Sequence, residues 1–213
     1  PHIAVVNLIE PEHLNVHAKK KKYVNDKANI RRFQQDDDVC FYHPDNQFSK
    51  QIAQASNRGR AIRFGVSDDG AVYVKDGNFC VGEQIICSVQ SLQLVGQHNV
   101  ENACAAISVA KYLGIDNGQI NQALLKFKGL PHRIEFVREV NGVKYYNDSF
   151  SSSTPATVAA IKSFLAPEIL IIGGVDRGGD FNHIAELIAS TRNIKAVVVI
   201  GKIKKKKKKI ILD

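Results

Sequence analysis

The 213-residue sequence contains no methionine and no tryptophan, and its four cysteines are scattered without a C-x-x-C pair. Scattered cysteines favour reduced, buried thiols over a disulfide framework or a zinc site. No apolar run approaches the roughly 20 residues that a membrane span needs, and no signal peptide precedes the first strand-like residues. These absences predict a soluble, cytoplasmic protein. The missing methionine predicts an interior piece of a longer chain.

Nucleic-acid-binding signatures are also missing. The net charge is +8, but ten of the 29 basic residues lie in two lysine runs, at 19–22 and 204–209. Neither run contains the aromatic residues on which bases stack, and no helix-turn-helix or RNA-recognition pattern occurs. The charge therefore predicts solvated segments, and we expect no nucleic-acid partner.

The first part of the sequence alternates short apolar strands with amphipathic segments. Strands are predicted at 3–8, 38–42 and 61–64, with helices at 19–33 and from Asp45-Asn46 to 55. A small antiparallel β section follows at 66–94, with turns at Asp69-Gly70 and Asp76-Gly77. The clearest helix covers 96–113 and ends at Gly114; a second runs from 117 to 127. Strands alternating with helices predict an α/β fold.

A Gly-Leu-Pro segment at 129–131 predicts a linker between two domains, 1–130 and 131–213. Beyond it, Asn141-Gly142 predicts a β-hairpin with a type I′ turn. A helix opening at Pro155, a strand at 168–172, a glycine-rich segment at 173–179, a helix at 183–190 and a strand at 196–200 predict a βαβ arrangement.

Two groups of polar residues are candidates for chemistry. His13 follows the first strand, and the neighbouring Glu10 and Glu12 supply the oxygen ligands that suit Mg²⁺; a surface-loop histidine is the alternative. Asn99 and Asn102 lie three apart at a helix N-terminus, where their amides share one face and suit a purine edge and a ribose. Helix capping is the alternative for one of them.

Taken in order, the segments NLIEPEHL, YVNDK, GQHNVENACAA, GLPHRIE, NGVKYYNDS and GGVDRGGDF resemble the Mur ligases of peptidoglycan synthesis. The LPHR-I-E and NDS combination is most similar to the members that add D-glutamate to UDP-N-acetylmuramoyl-L-alanine. The resemblance implies the C-terminal part of a central ATPase domain followed by an incomplete Rossmann-like α/β domain. The UDP-binding domain, the ATP phosphate loop and the C-terminal end of the family lie outside this sequence.

The resemblance also implies roles for individual residues. His13 and Lys27 would be the catalytic metal ligands, Lys27 as a carbamate that binds Mg²⁺. Asn99 and Asn102 would contact the nucleotide.

Further roles follow for the second part of the chain. Arg133 and Asp148 would contact ATP at a phosphate and the ribose. Ser149 and Ser151 would line the amino-acid pocket. Arg177 would hold a carboxylate of the acidic substrate, in place of a lysine of the family. The residue at 150 departs from the family, since Phe150 stands where the family has a further substrate-binding lysine.

The activity implied by the resemblance is ATP- and Mg²⁺-dependent amide formation through an acyl phosphate, by a monomer. Without a phosphate loop, the 213 residues alone are expected to be inactive. The alternatives are another Mur or folylpolyglutamate-type ligase, and a non-catalytic nucleotide-binding module.

Overall fold

The computed structural model describes residues 1–9, 20–67, 70–174 and 181–201. The chain divides into two compact units, Pro1–Gln93 with Asn99–Phe127, and Leu94–His98 with Lys128–Asp213. Each unit is described by itself. The domain boundary predicted between residues 130 and 131 stays a prediction. Within the described residues, no helix has the length and apolar character needed to cross a membrane.

The first unit is built on a three-stranded parallel sheet. Its strands are β1 (Ile3–Val6), β2 (Val39–Tyr42) and β3 (Arg60–Arg63), with β2 in the centre. In the register of β1 and β2, Ala4 lies beside Cys40. Because side chains alternate along a strand, successive residues of β2 enter opposite faces. Both faces of β2 are buried, as expected for a central parallel strand that is wholly apolar.

One face of this sheet packs against helices α1 (Lys20–Lys27) and α3 (Gln47–Ala53), with the short helix α2 (Asn29–Arg32) between them in sequence. Asn46 caps α3, since its side chain accepts a hydrogen bond from the Ser49 N–H at 2.8 Å. The core on this side is made of small and branched residues: Ala4, Val6, Val24, Ala28, Cys40 and Ile52.

The opposite face packs against helix α4 (Gln97–Tyr112) and an antiparallel sheet of β4 (Tyr73–Lys75), β5 (Asn78–Val81) and β6 (Gln84–Ser88). Helix α5 (Asn117–Lys126) completes this layer. This core is larger and contains aromatic residues; its members include Val39, Phe41, Phe64, Phe79, Ile86, Cys104 and Ile107. The central sheet is therefore sandwiched between two apolar layers.

The second unit contains a hairpin of β7 (Glu135–Val140) and β8 (Val143–Asn147). Asn141 and Gly142 have φ angles of +49° and +78°, the left-handed pair that a type I′ turn requires. The turn predicted from this dipeptide is confirmed.

A βαβ arrangement follows the hairpin. Helix α6 (Thr154–Lys162) begins after Ser153, which caps it, and is followed by β9 (Glu168–Gly173), α7 (Phe181–Ser190) and β10 (Ile194–Ile200). Strands β9 and β10 pair in parallel. The buried apolar residues of this arrangement include Ile161 of α6, Ile172 of β9 and Ile184 of α7. The predicted α/β class is confirmed in both units.

Two local predictions differ from the structure. The single helix predicted over 19–33 is divided at Ala28 into α1 and α2. Ala28 keeps helical backbone angles (φ −63°, ψ −14°), and Val24, Ala28 and Arg31 are buried at helical spacing. The hairpin turn predicted at Asp69-Gly70 joins no paired strands, because β3 and β4 belong to different sheets. Asp69 itself lies outside the described residues. The turn at Asp76-Gly77, between β4 and β5, is confirmed.

The lysine runs are described only in part. Lys21 and Lys22 are exposed, in agreement with their predicted solvation. Residues 204–209 lie outside the described residues.

Arg31 is the centre of a buried polar network and is 1% exposed. Its guanidinium donates to the carbonyl oxygens of Ala53 at 3.1 Å and of Ser56 and Gly59 at 3.3 Å, and to Gln34 Oε1 at 2.8 Å. A cation is favourable at the Ala53 carbonyl because Ala53 is the last residue of α3. Arg31 therefore ties the end of this helix to the start of β3.

We expect Arg31→Ala to lower the free energy of unfolding by roughly 3 kcal/mol or more, because charge-assisted hydrogen bonds are lost and buried carbonyls lose their donor. Urea denaturation measures this change. The matched control is Arg58→Ala, since Arg58 makes an exposed ion pair with Asp36 at 3.0 Å and should change stability little. Equal, small effects of both substitutions would contradict the structural role of Arg31.

The cysteines generate a prediction about alkaline pH. All four are buried free thiols, and burial raises the pKa of Cys40 to about 11 and that of Cys104 to about 12. The unfolded thiols lose their protons at lower pH than these folded ones, near pH 8.5. Stability should therefore fall as the pH rises above that value.

Urea denaturation at pH 8 and pH 10.5 measures the loss. The loss should be smaller in Cys104→Ala, whatever the stability of that variant at pH 8. The native protein should also leave Cys40 and Cys104 unmodified by a thiol reagent at pH 8, whereas all four thiols react in urea. Rapid native labelling of Cys104 would refute the assignment.

Candidate functional site

The carboxyl ends of β1 and β2 meet at one edge of the parallel sheet. The Val6 carbonyl oxygen accepts two hydrogen bonds there, from the His43 N–H at 3.0 Å and from Ser49 Oγ at 2.7 Å. Three residues further on, the Ile9 carbonyl accepts from Asn46 Nδ2 at 3.1 Å. The segment that leaves β1 is therefore attached at both ends to the N-terminus of α3. In open α/β sheets this edge is where ligands bind.

An amide–amide hydrogen bond joins this edge to α4. Asn7 Nδ2 donates to Asn102 Oδ1 at 2.9 Å. Asn102 is exposed and Asn99, one turn earlier on the same helix, is half-buried. Because α4 begins at Gln97, neither asparagine occupies its N-cap position.

A second contact joins β2 to the neighbouring residue of α4. His43 Nε2 lies 3.5 Å from Glu101 Oε2, and His43 Nδ1 accepts a hydrogen bond from the Asp45 N–H at 3.3 Å. The His43 ring packs edge-on against Phe64, with 5.5 Å between ring centroids. The start of α4 is thus connected to the ends of two adjacent strands.

The predicted metal ligands are described only in part. His13 lies outside the described residues. Lys27 is exposed at the end of α1, and its Nζ lies 5.0 Å from the centroid of the Tyr23 ring. Among the described residues, Lys27 makes no ion pair and no three His, Cys, Asp or Glu side chains form a metal-binding group. The predicted role of Lys27 therefore stays a prediction.

Arg133 and Asp148 lie in the second unit. Asp148 Oδ1 accepts a hydrogen bond from the Ile134 N–H at 3.1 Å, so the carboxylate is anchored to the start of the hairpin. His132 and Ile134 have φ angles of +64° and +44°, a left-handed conformation that is costly for a β-branched residue. Arg133 stands between them with an exposed side chain. Asp148 thus stabilises the backbone that presents Arg133.

The predicted amino-acid pocket is a short polar loop after β8. Ser151 Oγ donates to Asp148 Oδ2 at 2.5 Å, and the Ser149 N–H donates to Asn147 Oδ1 at 3.1 Å. Phe150 is 66% exposed between them, and its N–H donates to the His132 carbonyl at 3.0 Å. Ser151 and Asp148 are brought together.

Arg177 lies outside the described residues, so its predicted role is not tested. The glycine-rich segment at 173–179 is described only as far as Gly174, which has a φ of +126°.

Sequence reasoning did not select Asn7 or His43. Each directly follows an apolar strand, at the position where a parallel sheet presents polar groups to a ligand. Their position directly after a strand is the sequence pattern that could have identified them as candidate site residues. What the sequence did not contain was any indication that α4 would lie beside them.

Comparisons with known proteins bear on both units. The family model described as Mur ligase middle domain matches residues 1–110. A curated relative from Pediococcus pentosaceus, named UDP-N-acetylmuramoylalanine--D-glutamate ligase, is 38% identical over 213 residues, which cover 99% of this chain and 46% of that protein. This chain spans about half the length of the curated relatives that it matches.

Solved structures share the fold. MurF from Acinetobacter baumannii superposes with a TM-score of 0.73 at 20% identity, covering 95% of this chain and 47% of that one. A MurF ligase from Thermotoga maritima in complex with ADP gives a TM-score of 0.63 at 15% identity, covering 100% and 61%.

The family match covers the parallel sheet and most of α4, which together carry the contacts at the sheet edge. It extends over 110 of the 213 residues, more than half of the chain. The chain belongs to the Mur ligase family.

Proposed function

We propose that this chain is part of a ligase that adds D-glutamate to UDP-N-acetylmuramoyl-L-alanine with ATP and Mg²⁺. The observation that supports this most directly is the 38% identity, over nearly the whole chain, to a relative that carries the name of that activity. The ADP complex of a structural neighbour supports a nucleotide as the energy source. As implied by its family, the whole protein is a cytoplasmic monomer.

The proposed nucleotide ligands begin with the asparagines of α4. Asn102 presents its amide at the sheet edge, where it binds the adenine, and Asn99 binds the ribose. Arg133 supplies a permanent positive charge for a phosphate. Asp148 accepts hydrogen bonds from Ile134 and Ser151, and its remaining lone pairs accept a hydrogen bond from a ribose hydroxyl.

Two residues are proposed to hold Mg²⁺: His13, and Lys27 as a carbamate. When bound, the metal neutralises charge on the transferred phosphoryl group. Lys27 contributes an anion only after its uncharged amine has added CO₂.

The reaction has two steps. The acceptor carboxylate attacks the γ-phosphorus of ATP, forming an acyl phosphate and releasing ADP. The D-glutamate amine then attacks the acyl carbon, which forms the amide and releases phosphate. Arg177 is proposed to hold a carboxylate of D-glutamate bidentately, while Ser149 and Ser151 line the pocket. Held in this way, the amine needs little reorientation before attack.

Phe150 favours a second candidate function. An aromatic side chain at this exposed position cannot make the ionic contact of the family's lysine. A Mur or folylpolyglutamate-type ligase that adds a different amino acid is therefore the alternative, and a non-catalytic nucleotide-binding module is the third.

The test is a phosphate-release and product assay on the complete protein. UDP-N-acetylmuramoyl-L-alanine and ATP are combined in parallel with D-glutamate, L-glutamate, L-lysine, meso-diaminopimelate or D-alanyl-D-alanine. A glutamylated folate replaces the UDP acceptor in a further reaction. We expect product only with D-glutamate. Product with another amino acid or acceptor would support the alternative ligase, and no product with any would support the binding module.

Lys27→Ala and Lys27→Arg should both lower kcat, by roughly a hundredfold or more, because arginine keeps the charge but forms no carbamate, and loss of metal binding removes several kcal/mol of charge stabilisation. Steady-state kinetics of the complete protein measure this. The control is Lys22→Ala on the same helix, which removes only an exposed ion pair with Asp26 and should leave kcat nearly unchanged. Full activity of Lys27→Arg would show that Lys27 acts as a cation.

Arg177→Ala should raise the KM for D-glutamate while the KM for ATP stays nearly constant. Losing a charge-assisted bond to a carboxylate costs roughly 1.5–3 kcal/mol, on the order of tenfold to over a hundredfold in kcat/KM. Arg177→Lys keeps the positive charge and should raise the KM for D-glutamate less than Arg177→Ala does. If Arg177 only braces its turn against Asp176 or Asp180, both KM values should rise together.

A further inference from the structure

Two neighbouring residues of α4 are connected to the sheet edge, and the two connections differ in chemistry. Glu101 makes a charged contact with His43 at 3.5 Å. Asn102 accepts a directional hydrogen bond from Asn7 Nδ2 at 2.9 Å. Either contact can hold the helix in place. Only the second one distinguishes the two ends of an amide group.

The donor of this hydrogen bond is attached to a fixed backbone. Val6, which precedes Asn7, is paired with Tyr42 in the sheet, and its carbonyl accepts from both His43 and Ser49. The backbone of Asn7 therefore has little freedom to follow Asn102. Asn7 presents its Nδ2 to Asn102, and this donor favours the oxygen end of the Asn102 amide.

The oxygen of the Asn7 amide lowers the stability of the fold. This Oδ1 is buried and has no hydrogen-bond partner among the described residues. An unsatisfied buried acceptor lowers stability, a penalty that an apolar side chain of similar size avoids. A group that is unfavourable for stability calls for an explanation beyond packing. The explanation offered by the structure is the use of the Nδ2 donor.

We infer that Asn7 is a positioning residue that sets the amide orientation of Asn102 and thereby the preference of the site for adenine. This inference rests on the proposed function, in which Asn102 binds the base. Adenine offers an amine donor at N6 and an acceptor at N7, and an asparagine amide binds both when its oxygen faces N6. Asn102 Oδ1 has two lone pairs, so it can accept from Asn7 and from N6 together.

Substitution of Asn7 has different consequences for different replacements. Asn7→Leu keeps the volume but frees the Asn102 amide to rotate. Asn7→Asp replaces the donor by an acceptor, so that Asn102 must turn its Nδ2 toward residue 7. That rotation places a donor opposite position 6 of the base, which suits the O6 of hypoxanthine and not the N6 amine of adenine.

The experiment compares ATP with ITP on the complete protein, at saturating acceptor and D-glutamate. The ratio of kcat/KM for ATP to that for ITP should fall roughly three- to tenfold in Asn7→Leu and further, toward one, in Asn7→Asp. The fall should appear in KM, with kcat nearly constant. Using a ratio removes any general effect of the new carboxylate on triphosphate binding.

Two controls separate positioning from structural support. Glu101→Gln weakens the adjacent connection and should change kcat/KM for ATP and ITP by the same factor. In an Asn102→Leu background, Asn7→Leu should cause no additional loss of the ratio, because coupled residues act as a unit. Thermal unfolding of each variant checks that it folds. If Asn7→Leu does not fold, the inference is tested with Asn7→Asp alone.

Calorimetric Kd values for ATP and ITP repeat the comparison without ligation. A protein that binds ATP but ligates no amino acid would refute the proposed function and still test Asn7. An Asn7→Leu variant that weakens ATP and ITP equally, or weakens neither, would overturn the inference.

Discussion

Parallel pairing of β1 with β2 is the constraint on which the first unit depends. The register that sets Ala4 beside Cys40 sends the small side chains of both strands to one face and leaves Val39 and Phe41 for the other. A shift of one residue would exchange these faces and place the large side chains of β2 in the core that holds the small ones. The same pairing brings the carboxyl ends of both strands to one edge. The polar residues that follow the strands are therefore neighbours because the apolar residues within them are buried.

Two buried polar groups in this unit differ in how completely they are hydrogen-bonded. The guanidinium of Arg31 uses all three nitrogens on carbonyl or amide oxygens, so its burial contributes to the fold. Among the residues that the structure describes, the amide of Asn7 finds a partner only at its nitrogen. A fully satisfied network strengthens a structure, and a half-satisfied one costs stability. This contrast separates a residue that supports the fold from one that is best explained by ligand binding.

Much of the fold follows from local signals in the sequence. The strands are short apolar β-branched runs, Asn46 is a favoured N-cap, and Asn141-Gly142 has the composition of a type I′ turn. Such signals act over a few residues and survive in any tertiary context. The burial of Arg31 was missed because its guanidinium binds carbonyls more than twenty residues away. A lysine-rich segment gave no indication of a buried cation.

Some residues of the candidate site could likewise be predicted from local sequence, and others could not. From the sequence alone came Asn99 and Asn102, because two asparagines one helical turn apart are recognisable wherever the helix lies. Only the tertiary structure decided that Asn7 would meet Asn102, from which it is separated by 95 positions. The helix reaches that edge because its apolar face packs on the sheet through Cys104 and Ile107. The directional hydrogen bond is a consequence of burial elsewhere, and no local pattern of residues encodes it.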